Sequence, residues 1–218
     1  MKKIAVILSG CGVFDGSEIH EAVLTLLSIT QAGASYQCFA PNISQFHVIN
    51  HLTGEVESDQ QRNVLVESAR IARGDIQDLA MLDATKFDAL VLPGGFGAAK
   101  NLSDFAFKGA DCQINVEVLN ACQLFAQAKK PAAYICIAPA LIPLVYGPGV
   151  TATIGTDPAT AEQLTLLGAN HQNCEVNEFV MDETAKVIST PAYMLAGSIA
   201  QAAQGIDKTI KQLLVMIP

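Results

Sequence analysis

No two of the six cysteines in this sequence form a Cys-x-x-Cys pair. They stand at 11, 38, 112, 122, 136 and 174, a spacing that excludes zinc ribbons and thioredoxin-like dithiols. Positive charge is scarce too: 13 Lys and Arg face 21 Asp and Glu, for a formal net charge of −8. The only adjacent basic pairs are Lys2-Lys3 and Lys129-Lys130. A phosphate-backbone binder needs a basic stripe, so nucleic acid is excluded as a partner. Unbroken apolar helices are also missing. The uncharged run from Pro131 to Thr156 is interrupted by Pro139, Pro143 and Pro148 with Gly147 and Gly149, which argues against a bilayer span. The start, "MKKIAVILSGC", resembles a lipoprotein cleavage site. Its apolar stretch, Ile4 to Leu8, falls short of the roughly 7 to 15 residues of an export signal. No membrane contact is expected. Thiols in a chain this apolar need not act as staples, so they are read as reduced and the location as cytoplasmic.

What is present is apolar material. Half of the 218 residues are hydrophobic, enough for one sizeable core, and the length suits a single domain over 1–218. Short apolar runs at 3–9, 35–40, 87–93 and 132–135 read as strands buried on both faces. Helical patterns fall at 18–31, 63–73, 114–129, 138–146, 158–167 and 193–216, with Gly205 a weak point in the last. A short helix is expected near 76–82, and a small hairpin around Thr53-Gly54 within the polar segment 42–62. The stretch "EVNEFVMDETAKVIST" reads as two strands about the turn at Asp182 to Thr184. Strands alternating with helices predict a flavodoxin-like α/β sandwich of three layers around a mostly parallel sheet.

In such sheets ligands bind outside the carboxyl ends of the strands. Three loops qualify: Gly10 to Glu18, Gly94 to Leu102, and the turn at Cys136 in "AAYICIAPA". A cysteine there either fills the core or acts as a nucleophile at a strand-to-helix junction. Unpaired N–H groups and a helix dipole at that junction would favour the thiolate. Pro139 fits the first turn of the following helix. Glu18 opens a helix and could supply an acid or be only a helix-terminal residue. Gly94 and Gly95 could bring N–H groups to an oxyanion or form only a flexible turn. "PGGFG" matches neither nucleotide-binding glycine pattern. Cys11 lies in the loop before Glu18, where it could line the same pocket or be a buried structural thiol. Asn101, Asp104 and Glu117 fall near the glycine loop without an assignable role.

Four segments taken together, "VILSGCGVFDGSEIHE", "LVLPGGFGAAKNLSDFA", "PAAYICIAPAL" and "ANHQNCEVNEFV", resemble the ThiJ/PfpI superfamily, related to class I glutamine amidotransferases. The likeness is strongest to its glyoxalase-like branch of enhancing-lycopene-biosynthesis proteins and covers nearly the whole chain. It implies an elbow nucleophile at Cys136, a buried acid at Glu18 and an oxyanion site at Gly95, with Gly94 and Ile137 beside it. It also implies a homodimer and a glutathione-independent glyoxalase that acts on small dicarbonyls without metal or cofactor. The chain departs from the wider superfamily in its histidines. Ile137 stands where peptidase-like members carry His after the cysteine, "VTATIGTDP" contains none, and His171 is followed by Gln172 and Asn173 rather than forming His-x-Glu. His171 remains a possible loop-borne partner of the thiol. The alternative function is a non-enzymatic, redox-sensing module linked to isoprenoid biosynthesis.

Overall fold

The computed structural model describes residues 1–218. The chain forms nine strands and eight helices. The strands are β1 (Lys3–Ile7), β2 (Ser35–Ala40), β3 (Ile76–Asp78), β4 (Ala89–Leu92), β5 (Ala132–Ile135), β6 (Thr151–Ala152), β7 (Asn170–His171), β8 (Val180–Asp182) and β9 (Val187–Thr190). The helices are α1 (Ile19–Gln31), α2 (Val64–Ile71), α3 (Phe96–Lys100), α4 (Phe105–Lys108), α5 (Val116–Gln127), α6 (Ile142–Tyr146), α7 (Pro158–Leu166) and α8 (Ile199–Met216).

Seven strands form one sheet in the order β3-β2-β1-β4-β5-β9-β8, all parallel except β8, which runs antiparallel to β9. The side-chain period of two divides β1 between two cores. Ala5 and Ile7 pack with α5 and α6, through Val118, Phe125 and Ile142. Ile4 and Val6 pack with α1 and α8, through Ala22, Ile29, Ile206 and Ile210. Both faces are covered, and the expected flavodoxin-like three-layer sandwich is what forms. Strand order reverses at β1, whose neighbours are β2 on one side and β4 on the other. The crevice of such a sheet opens at that switch point. The loops following β1, β4 and β5 meet there.

Several local expectations are corrected. Residues 76–82 are not a helix: Cys38 and Ala40 pair with Ile76 and Asp78 to add an edge strand, and only Leu79–Met81 form a 3₁₀ turn. Sheet pairing outweighs the propensity of so short a segment. The final helix begins at Ile199, because Ser198 caps it by accepting the Gln201 N–H at 3.3 Å. Tyr193 lies instead in a separate 3₁₀ turn, Ala192–Met194. Gly205 is no weak point, since a Cβ there would run into the carbonyl oxygen of Val176. The parallel pair β6–β7 is too short to leave a sequence pattern. The hairpin around Thr53-Gly54 is a single bridge, Ile49 to Val56. No helix is long and apolar enough to cross a membrane.

Candidate active site

Cys136 follows directly after β5 with a left-handed backbone, φ +62°. Such a conformation costs a non-glycine residue on the order of 1–3 kcal/mol and clusters at functional sites. The Cys136 N–H donates to the Thr190 carbonyl at 2.9 Å, which holds the bend against β9. Only 7% of the residue is exposed, and the sulfur receives the N–H groups of Gly95 and Ile137. A four-residue 3₁₀ turn containing Pro139 follows, and then the five-residue α6. The thiol therefore faces two individual amides rather than the end of a long helix. Burial pushes its pKa well above that of an ordinary cysteine, an ionised Glu21 pushes the same way, and the two N–H groups pull against both. The lowered pKa expected of this junction is overturned by burial.

The carboxyl that acts on the Cys136 thiol belongs to Glu21, across Gly94 from it, not to Glu18. Glu21 is completely buried. Its Oε2 accepts the Gly94 N–H at 3.0 Å, and its Oε1 accepts the Tyr193 N–H at 3.1 Å. Burial raises its pKa to about 8 against these hydrogen bonds, so the group is largely neutral at pH 7. Glu18 caps α1, its Oε2 accepting the Glu21 N–H at 2.6 Å. It also lines the cavity that Cys136 faces. One helical turn thus carries two acids in different settings: Glu21 behind the thiol and Glu18 at the cavity wall. Glu21 lies on the inward face of α1 with Ala22, Thr25 and Ser28. The Glu18-x-x-Glu21 spacing was the available signal for it.

The glycine loop is close-packed rather than flexible. A Cβ on Gly94 would meet the Cβ of Cys136 and lie 2.7 Å from Glu21 Oε2. Gly95, at φ +94°, abuts the backbone N–H of Glu18 and the Gly16 carbonyl. The Glu18 N–H donates to the Gly94 carbonyl at 2.9 Å, tying the first loop to the second. Asn101 completes that tie: its Nδ2 donates to the Ser9 and Asp15 carbonyls, both at 2.9 Å. Asp104 pairs with Lys108 and accepts the Gln113 N–H, and Glu117 sits in the first turn of α5.

A cavity of roughly 530 Å³ opens over the thiol, lined by Cys136, Glu18, Gly95 and Ile137 together with aromatic and apolar side chains. Gly94 lies behind this wall. Cys11 lines a different depression, against Arg70 and Tyr36 on the other side of α1, and all six cysteines are free. His171 lies outside the cavity lining. Its Nε2 accepts the Ile154 N–H at 3.3 Å, and burial lowers its pKa. A histidine that hydrogen-bonds to the cavity lining is His20, whose Nδ1 is 2.8 Å from the hydroxyl of the cavity-lining Tyr193. Neither Tyr193 nor its partner is recognisable in advance, because 172 residues separate Tyr193 from Glu21 in the chain.

No family model matches the chain. Individual relatives do. A human protein named glutamine amidotransferase-like class 1 domain-containing protein 3, mitochondrial, is 46% identical over 221 residues, covering 97% of this chain and 82% of its own. The chain belongs to the class I glutamine amidotransferase-like family. A rat relative, named ES1 protein homolog, mitochondrial, is 45% identical over 97% of this chain and 83% of its own. Among solved structures, an isoprenoid biosynthesis protein with amidotransferase-like domain from Ehrlichia chaffeensis superposes with a TM-score of 0.93 at 38% identity, with both chains covered completely. Drosophila melanogaster DJ-1beta shares the fold, with a TM-score of 0.59 at 17% identity over 97% of this chain and 90% of its own. The mitochondrial names of the curated relatives overturn the cytoplasmic location expected from the reduced thiols.

Proposed function

We propose that this family member is a cofactor-independent glyoxalase that converts a 2-oxoaldehyde to a 2-hydroxy acid through a hemithioacetal on Cys136. The observation that carries the reading is the pairing of two carboxyls with one thiol: Glu21 packed beside Cys136 across Gly94 and Glu18 on the same cavity wall. Addition to the aldehyde forms the C–S bond, and the thiol proton passes to the new alkoxide. The N–H groups of Gly95 and Ile137, already directed at the sulfur, are near enough to hold that oxygen while it carries charge.

Isomerisation then moves a proton from the former aldehyde carbon to its neighbour through an enediol. Glu18 suits this step, since its Oε2 is committed to the helix cap while the carboxyl borders the cavity. The neutral carboxyl of Glu21 stays beside the sulfur throughout. The product of isomerisation is a thioester, and water cleaves its C–S bond to release the hydroxy acid and restore the thiol. The aldehyde carbon is oxidised, its neighbour is reduced, and one water is consumed, so no external oxidant enters. The naming of the Ehrlichia relative for isoprenoid biosynthesis supports a role close to that metabolism. Turnover of glyoxal by pure protein in D₂O tests the reading. Glycolate bearing deuterium on carbon is expected from an enediol exchanging with solvent, and absence of glycolate overturns it.

A further inference from the structure

Glyoxal has four heavy atoms and fills the space of about two or three waters, at roughly 30 Å³ each. The cavity over Cys136 is roughly 530 Å³, the size of sites that hold much larger ligands. Its walls are mainly apolar, with Val13, Phe96, Phe105, Phe107, Ile137 and Met194 among the lining side chains. Two of these rings are poorly explained by folding alone. Phe96 is 46% exposed and Phe107 is 45% exposed. Phe46, itself 58% exposed, stacks on Phe107 with ring centroids 4.2 Å apart, and His47 meets both rings edge-on. Phe96 is held in place as well: its N–H donates to the Val13 carbonyl at 2.8 Å, and Lys100 sits 5.1 Å from its ring centroid. A fixed, half-exposed aromatic wall beside a reactive group marks a binding surface. The polar lining residues are few: Glu18, Thr160, Gln163 and Tyr193, in the cavity beside the Cys136 thiol.

We infer that the carbonyl compound taken by this site carries an apolar substituent the size of a ring, so that aryl or branched-alkyl 2-oxoaldehydes are preferred to glyoxal. The reacting end lies at Cys136 and Glu18, and the substituent lies against Phe96 and Phe107. For the reaction, this inference rests on the glyoxalase reading; for the binding of an apolar group beside the thiol, it does not. The stoichiometry is unchanged: phenylglyoxal and one water give mandelate.

Two measurements separate the inference from that reading. The first compares kcat/KM for phenylglyoxal and glyoxal. A ratio above about tenfold is expected, in line with the discrimination an apolar pocket provides, and Phe96→Ala or Phe107→Ala should lower that ratio. The second needs no turnover. It compares alkylation of Cys136 by phenacyl bromide and bromoacetone, each rate divided by that of N-acetylcysteine. An aromatic advantage that Phe96→Ala or Phe107→Ala diminishes supports the apolar subsite, even if neither dicarbonyl is consumed and the glyoxalase reading falls. Turnover of glyoxal with no preference for phenylglyoxal, and equal normalised alkylation rates, overturns the inference and leaves the glyoxalase reading standing. Two variants guard against misfolding, because each removes a ring that is nearly half exposed.

Discussion

Glu21 and Cys136 form a buried acid–thiol pair with unequal influence: an ionised Glu21 opposes loss of the Cys136 proton, whereas the protonated thiol favours the Glu21 carboxylate. Gly94 sits between them with no room for a side chain, and its N–H fixes one carboxyl oxygen at 3.0 Å. Two negative charges at this spacing in a dry site are disfavoured, so the pair titrates as a unit.

Replacing the nucleophile is the simplest check. Cys136→Ser should reduce glyoxal turnover to the uncatalysed background while circular dichroism and thermal unfolding stay close to those of the parent. Activity near the parent level would remove Cys136 from the mechanism.

The thiol should titrate late. The rate of Cys136 alkylation should reach half its plateau above the roughly 8.5 of free cysteine. Glu21→Gln removes the opposing charge but leaves the Gly95 and Ile137 N–H groups in place, so its curve should move to lower pH. A curve unmoved by Glu21→Gln would show that the carboxyl does not act on the sulfur.

Glu18 and Glu21 should separate kinetically. Glu18→Gln preserves an oxygen to accept the Glu21 N–H but loses the exchangeable proton, and kcat should fall by about 10²- to 10⁴-fold. The thiol titration should be unaffected. Unchanged kcat would leave Glu18 as the helix cap alone.

Stability should depend on pH through Glu21. Its folded pKa, about 8, lies above the 4.5 of an ordinary glutamate, so the folded state holds a proton that the unfolded state releases. The contribution is fully present below the unfolded value and is lost as pH rises through the folded one, at up to about 1.4 kcal/mol per pH unit. Denaturant titrations at pH 5 and pH 8 should show the parent losing more stability than Glu21→Gln across this interval. Parallel losses would mean that Glu21 ionises normally.

The histidine outside the cavity should matter little to chemistry. His171→Ala is expected to change kcat/KM by less than about tenfold, where loss of a true general base typically costs about 10²- to 10⁴-fold. A hundredfold loss in a folded variant would revive the thiol–imidazole dyad.

The buried strands are legible in the sequence because a parallel sheet covered on both faces demands continuous apolar runs, and "KIAVI", "ALVL" and "AAYI" provide them. Cys136, Gly95 and Glu18 are legible because each stands at the carboxyl end of such a run or in a loop beside it. Glu21 is concealed by its position on an otherwise helical pattern, where an acid in the first turn already has a local explanation. Edge strand β3 and the 192–194 turn depend on pairing with distant residues, which no local pattern encodes. The aromatic wall is scattered across residues 96 to 107 and joined by Phe46 from the excursion between β2 and α2. Only folding brings those rings together.

The hydrogen bond from the Tyr193 N–H to Glu21 has a consequence for the chain during its synthesis. Residues 1–136 already contain the thiol, the glycine loop and both acids. The amide that secures Glu21 Oε1 arrives only with the turn at residue 193. Until that turn docks, the carboxyl behind the sulfur lacks one of its two backbone anchors. A ribosome-bound chain stalled before this point should carry a cysteine with the reactivity of an ordinary thiol, and the pair should become active as a unit only near the end of translation.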